Sequence, residues 1–371
     1  RRGVPAEHDD LPLRGCRRLA AVHSHAVGLT ALQDLAVRGI DAAHCYEQRY
    51  QISHLGHSHI MAGARRYTQR VTNSWNPVEI VTESEVADEP LGTKQKFWVE
   101  NPDDDRPWLF KFVRERDGEV RGEDWAEWVV HQTSGLIGVP TAEIRAAVCG
   151  GHRGVVSRSV VSAVNTERLV HGNSLLAEVD PDYEPDLMRS NPRYTIAAVK
   201  RALFGVRPPA EFIGPSNLDG FDVWAGYLVM DALVAARDRH HENWGIVSSK
   251  AERRLAPSYD HGNALGFQEN DDRRGRLLAS PAARDAWLRK GRSHHFAGKP
   301  SLVDLAHEAL ALGSPTARRY WRGQLQSLDV NDVRSIVDCV PFEIMSDPAH
   351  RFVVDIVSVN RERLLRDYPG H

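Results

Sequence analysis

The stretch Ala235-Ala236-Arg237-Asp238-Arg239-His240-His241-Glu242-Asn243-Trp244-Gly245-Ile246, followed by Ser258-Tyr259-Asp260-His261-Gly262-Asn263, decides how this chain is read. It comes directly after an apolar run, Phe221–Ala236. An Asp with an Asn five residues on, then a second Asp entering a small turn, is a donor set suited to phosphoryl transfer from Mg-ATP. One carboxylate orients the attacking hydroxyl and accepts its proton. An amide oxygen and the second carboxylate hold the metal that neutralises the phosphates. Asp238, Asn243 and Asp260 fit these three roles. Either Asp alone is equally well explained as part of a polar loop with Asx-type turns; the combined spacing is not. His240 is expected to support the loop or the transferred phosphoryl group, and His241 to be a supporting or exposed neighbour.

Upstream, Leu109-Phe110-Lys111-Phe112 places a lysine on an apolar strand, where it can bind α/β-phosphates as a point charge. Glu127, in the helix that follows, is the carboxylate expected to pair with Lys111; Glu123 and Asp124 are its rivals. Gly92-Thr93-Lys94, just before the first of two paired strands, can cover phosphates with backbone N–H groups and the Thr93 hydroxyl. It is neither a Walker A motif nor a GxGxxG, and an ordinary β-turn explains it too. Val156-Ser157-Arg158 is placed to be the hinge whose backbone bonds adenine. His171-Gly172-Asn173 is read as structural. His54, His57 and His59, with only Cys45 as a further donor nearby, are read as a histidine-rich loop. The acidic clusters Asp103-Asp104-Asp105 and Asn270-Asp271-Asp272 are read as solvated turns, since neither matches a calcium loop.

The DRHHEN and DHG elements resemble those of HipA-type kinases and, more distantly, of the phosphatidylinositol 3-/4-kinases. The resemblance covers about residues 78–367 in order. It includes Leu91-Gly92-Thr93-Lys94 with Lys96-Phe97, Leu109-Phe110-Lys111 and Gly122-Glu123-Asp124-Trp125-Ala126-Glu127. Val156-Ser157-Arg158-Ser159 and Leu169-Val170-His171-Gly172-Asn173 complete it. It implies an α+β, two-lobed protein-kinase-like (HipA-like) fold, with a small β-rich N-lobe and a mostly helical C-lobe. ATP and Mg²⁺ are the implied cofactors, and a Ser/Thr hydroxyl of a protein is the implied acceptor. A small-molecule or lipid acceptor is compatible with the same residues, as is a nucleotide-binding pseudokinase or scaffold, although the complete Lys, Asp, Asn and Asp set speaks against the latter. No HipA-type N-terminal subdomain is evident, so an antitoxin partner is not expected.

The wider composition agrees with a kinase-sized chain. Its 371 residues leave room for two lobes. Lys+Arg is 47 against Asp+Glu 50, a formal charge of −3, so a global polyanion-binding surface and a nucleic-acid partner are not expected. That total hides a division, because residues 1–75 carry ten Arg, no Lys and six acids, a net of +4, leaving −7 for the remainder. Apolar runs fall short of the ~20 residues a membrane span needs; Asp222 and Asp231 interrupt the longest. Four dispersed cysteines without a CxxC pair fit a reducing cytoplasm. The expected division is an Arg/His-rich accessory extension over 1–75, an N-lobe over 76–165 and a helical C-lobe over 166–371.

Hydrophobic periodicity predicts strands at Val78–Val81, Gln95–Val99, Trp108–Val113, Ile144–Cys149 and Val155–Val161, with a helix over Glu123–Leu136. Further helices are predicted at Tyr194–Leu203, Phe221–Ala236, Ala282–Arg289, Leu302–Ala311, Thr316–Leu325 and His350–Arg366. Arg237–Phe267 is read as a compact loop region.

Overall fold

Alternation along Trp108–Phe112 sends Trp108 and Phe110 to one face of a sheet and Leu109 and Lys111 to the other, as a period of two requires. This strand, β3, lies inside a five-stranded sheet with β1 (Val78–Ile80), β2 (Lys96–Val99), β6 (Ile144–Cys149) and β7 (His152–Arg158). The order is β1-β6-β7-β3-β2; β1 runs parallel to β6 and the other pairs are antiparallel. Ile80, Phe97, Val99, Trp108, Phe110 and Val156 pack on one face. Ile144, Ala146 and Val155 face the other way, towards helix α1 (Glu123–Leu136) and the main core. The structure, a computed structural model, describes residues 74–80, 96–100, 104–116, 119–162, 166–366 and 368–369. Gly92, Thr93 and Lys94 lie outside the described residues, as do residues 1–73 with His54, His57 and His59.

A short hairpin of β4 (Glu115–Arg116) and β5 (Glu119–Val120) leads into α1. Beyond it the chain is helical: α2 (Gly172–Val179), α3 (Ile196–Ala202), α4 (Gly220–Leu233), α5 (Asp271–Ala279), α6 (Pro281–Arg289), α7 (Leu302–Leu312), α8 (Pro315–Ser327), α9 (Val330–Val337) and α10 (Asp347–Arg366). Every residue of α4 is buried, the outcome expected for a helix that is apolar all round. Its two acids are both satisfied. Asp222 accepts from the Ser314 backbone at 2.8 Å, and Asp231 binds Arg239. Trp321 of α8 packs on α4 at Gly226, where a Cβ would overlap the indole; only glycine allows that approach.

The predicted positions of most elements match, with three corrections. Arg237–Phe267 is not all loop, because β9 (Gly245–Ser248) and β10 (Arg253–Leu255) form a three-stranded sheet with β8 (Arg168–His171). These strands, of three or four residues each, are too short to show alternation, and β8 and β10 also carry arginines. Asn270-Asp271-Asp272 is a helix start, in which Asn270 caps α5 by accepting from the Arg273 N–H at 2.9 Å, with the acids in the first turn. Asp104 is not a solvated turn residue. It accepts from Arg158 through both oxygens at 2.6 Å and from the Trp108 indole at 3.0 Å, and the Arg158 bond holds its carboxyl well below the usual range despite partial burial.

Candidate active site

The first two turns of α1 carry three buried acids, and each holds a cation from a different part of the N-lobe. Glu123 takes Arg114, through its side chain at 2.6 Å and its backbone N–H at 3.0 Å. Asp124 takes Arg153 of β7 at 2.7 Å. Glu127 takes Lys111 of β3 at 2.8 Å. The helix geometry thus separates the three rivals, because residue 127 lies one turn further along, on the face turned to β3.

Lys111 also reaches Asp260 at 3.1 Å, so one ammonium links the sheet, α1 and the segment after β10. Its side chain is 9% exposed and that of Glu127 is 1% exposed. Burial opposes the charge of Lys111, but the carboxylates of Asp260 and Glu127 outweigh it and hold the ammonium above the ordinary lysine value. Asp260 itself keeps 42% of its side chain open. Its φ of +61° is left-handed, a conformation Asp tolerates better than most residues.

The catalytic-loop candidate, Arg237–Trp244, is fixed from within. Arg239 is buried and makes a two-pronged ion pair with Asp231 of α4 at 2.7 and 2.8 Å, and it also donates to the Asn243 carbonyl at 2.7 Å. Asp231 keeps Arg239 firmly charged against the cost of burial. The Asn243 side-chain nitrogen donates to the Asp238 carbonyl at 2.8 Å, closing the loop. The Asn243 side-chain oxygen then remains as a ligand atom.

His171-Gly172-Asn173 buttresses this loop from below. The Gly172 and Asn173 N–H groups donate to the carbonyls of Trp244 and His241, both at 2.9 Å. His171 Nδ1 lies 3.0 Å from the Glu242 carbonyl. This is the structural role the sequence suggested.

The two histidines of the motif differ. His240 accepts the Glu242 N–H on Nδ1 at 3.2 Å, and burial pushes it down to about 4, leaving it neutral near pH 7. His241 is buried, not exposed. It meets the Tyr183 hydroxyl at 2.6 Å and Met188 Sδ at 3.2 Å, and burial likewise takes it to about 4.

One residue of the site was not anticipated. His295 Nε2 lies 3.0 Å from Asp238 Oδ1, and its Nδ1 lies 2.7 Å from the Met188 carbonyl. With Asp238 on one ring nitrogen and a carbonyl on the other, the His295 ring is held in one orientation. Burial would raise Asp238, but the His295 bond together with the nearby His240 and His295 rings outweighs it and holds the carboxyl below the ordinary value of 3.8. The Asp238 side chain is 41% exposed, which leaves it open to an incoming hydroxyl. The available signal was the adjacent pair His294-His295, but it sits in a basic segment with no recognisable motif.

Val156 and Arg158 need correction as hinge residues. Val156 lies inside two ladders, opposite Phe110 and Arg145. The Arg158 N–H donates to the Glu143 carbonyl, and the next one, of Ser159, to Pro107, both at 2.9 Å. These donors are committed to the sheet, and the Arg158 side chain is held by Asp104, so neither residue offers a free edge to a base.

The site can hold Mg²⁺ in the manner of phosphoryl-transfer enzymes. Mg²⁺ takes one or two protein oxygens and fills its shell with phosphates and water. An open Asp260 carboxylate and the Asn243 amide oxygen fit that need. No cluster of three or more His, Cys, Asp or Glu suited to an all-protein metal cage occurs among the described residues.

A β-rich lobe carrying a Lys–Glu pair, set on a helical lobe carrying the Asp, Asn and Asp loops, is a two-lobed, kinase-like α+β fold. Among solved structures, the chain is similar to the Helicobacter pylori proinflammatory kinase CtkA, with a TM-score of 0.58 and 16% identity over 76% of this chain and 93% of that one. It is also similar to HipA in the Shewanella oneidensis complex of HipA, HipB and operator DNA, with a TM-score of 0.49 and 11% identity over 76% of this chain and 66% of that one. No protein-family model and no curated protein matches the sequence. No helix among the described residues is long and apolar enough to cross a membrane.

Proposed function

We propose that this chain is an ATP- and Mg²⁺-dependent phosphotransferase acting on a Ser/Thr hydroxyl of a protein. The observation that carries the reading is Lys111, held between Glu127 of α1 and Asp260. That arrangement joins the phosphate-binding charge of one lobe to the metal-binding carboxylate of the other. Lys111 binds the α/β-phosphates. Asn243 and Asp260 hold Mg²⁺, which supplies positive charge to the phosphates. Asp238 orients the acceptor hydroxyl and takes its proton as the new O–P bond forms and the bond to the leaving ADP oxygen breaks. The 3.0 Å contact with His295 keeps Asp238 ionised and fixes its rotamer.

In this reading residues 76–165 form the nucleotide-covering lobe, residues 166–371 carry the loops and the acceptor, and residues 1–75 are accessory. The protein works in the cytoplasm, where ATP is plentiful. Incubating the purified chain with γ-labelled ATP and a host lysate tests the assignment. Label should pass to an acceptor, and Asp238→Ala and Asp260→Ala should each lower transfer at least ~10³-fold while the fold survives. Equal incorporation by the parent and both variants would show the assignment to be wrong.

A further inference from the structure

The segment Arg289-Lys290-Gly291-Arg292-Ser293-His294-His295-Phe296-Ala297-Gly298-Lys299 contains four cations and no acid, in a chain whose remainder beyond residue 75 is net acidic. The fold lays this segment against the base. His295 touches Asp238, the His294 carbonyl accepts the Ser190 N–H at 2.8 Å, and Ser293 donates to Pro300 at 3.0 Å. The Ser190 bond and the 2.7 Å approach of His295 Nδ1 to the Met188 carbonyl bring Arg189 beside this segment, and burial, then the charges of Arg237, His295, Lys299 and Arg189, lower the His294 imidazole from its ordinary value. Lys290 and Arg237 line a cavity of about 170 Å³ with Asn263, Gln268 and Trp287. Arg237 immediately precedes Asp238, and Asn263 lies three residues after Asp260.

Arg189, Arg237, Lys290, Arg292 and Lys299 have no carboxylate partner among the described residues. Arg292 donates only to the Lys299 carbonyl at 3.0 Å. Of the acids near the collar, Glu269 already accepts from Trp287 at 2.8 Å, and Asp238 is given to His295.

We propose that this cationic collar selects the acceptor, and that the acceptor is a Ser/Thr-containing segment flanked by Asp or Glu. The inference rests on the kinase reading for the role of Asp238 and adds the chemical class of its substrate. The magnitudes favour a peptide over a small molecule. Sites that enclose a drug-sized ligand run to ~300–1,000 Å³, whereas this cavity has room for one side chain. The charges sit on three separate stretches, exposed at Arg189, Lys290, Arg292 and Lys299 and half-buried at Arg237, as an extended partner requires. They stand on the Asp238 side of the site, apart from Lys111, which serves the nucleotide. Their expected contribution is encounter rate and selectivity, with strong salt dependence.

The test uses the full chain and fluorescent peptides with one central Ser flanked by Glu, by Ala or by Lys, followed by anisotropy at low and high salt. The Glu peptide should bind at least ~10-fold tighter than the Lys peptide and weaken as salt rises. Lys290→Glu/Lys299→Glu should weaken the Glu peptide ~10-fold and improve the Lys peptide. Lys250→Glu, in the exposed β9–β10 turn, should change neither. ATP affinity should be the same in all variants.

Equal binding of the three peptides would overturn the proposal, as would Glu-peptide binding that survives the double reversal. A matching fall in ATP affinity would assign the cations to the nucleotide, and tighter binding of a single-stranded RNA than of the Glu peptide would assign them to nucleic acid. Because binding needs no transfer, acidic-peptide selectivity without phosphorylation would sink the kinase reading alone. The parent's own ranking of the three peptides stands even if a variant misfolds.

Discussion

Asp238 has its reactivity set by a residue 57 positions away. Its carboxyl is pulled down by the His295 bond while burial pushes it up, so the sign of a His295 deletion follows directly. In His295→Ala the upward push of burial remains while its largest counterweight is lost. The acid limb of the kcat/KM profile, which should lie below pH 3.8 in the parent, should move to higher pH. kcat should fall ~10- to 100-fold with the KM for ATP unchanged, and added imidazole should restore part of it. A limb that stays in place would reduce His295 to a packing role. His295 is a positioning residue, and it illustrates what the sequence could not disclose. Lys111, Glu127, Asp238, Asn243 and Asp260 stand out in the sequence because the chemistry proposed for them needs particular residue types at particular spacings. The bond from His295 exists only because two distant loops fold together.

At the scale of elements, legibility followed the strength of the hydrophobic pattern. The α1 range Glu123–Leu136 and the β6 range Ile144–Cys149 were readable to the residue, since both are bounded by turns and backed by apolar repeats. Strands β8 to β10, at three or four residues with Arg at several positions, were not. The hinge expectation failed for a related reason. Val156 reads as strand, but whether a strand is central or at an edge depends on neighbours far away in the chain. Helix α4 offers the sharpest element-level test. Gly226→Ala adds a methyl where the buried Trp321 indole already sits, its Nε1 tied to the Asp222 carbonyl at 2.8 Å. Urea denaturation should show a loss of about 3 kcal/mol. A change within 0.5 kcal/mol, the range of an exposed site, would mean that the α4–α8 contact is looser than described.

Across the whole molecule, the two-lobed plan was legible because the β-patterned part and the helix-patterned part occupy separate halves of the sequence. The way the catalytic-loop candidate is locked to the helical core was less so. The apolar run around Phe221–Ala236 could be seen to contain Asp231, but the reason for an acid there becomes clear only from Arg239, which lies across from it and also holds the Asn243 carbonyl. That pair constrains how the chain can change by single steps. Removing either partner strands the other charge in the core, at about 3–5 kcal/mol, so Asp231→Leu and Arg239→Met should each unfold at much lower urea. The double replacement removes both charges, and its denaturation midpoint should recover most of the loss while phosphate transfer stays low, because the Asn243 carbonyl then loses the guanidinium that holds it. A double variant no more stable than the singles would place the value of the pair in packing, not in charge. If it recovers, a descendant could cross from one stable core to another only by changing both sites together, and it would arrive folded but without a loop shaped for transfer.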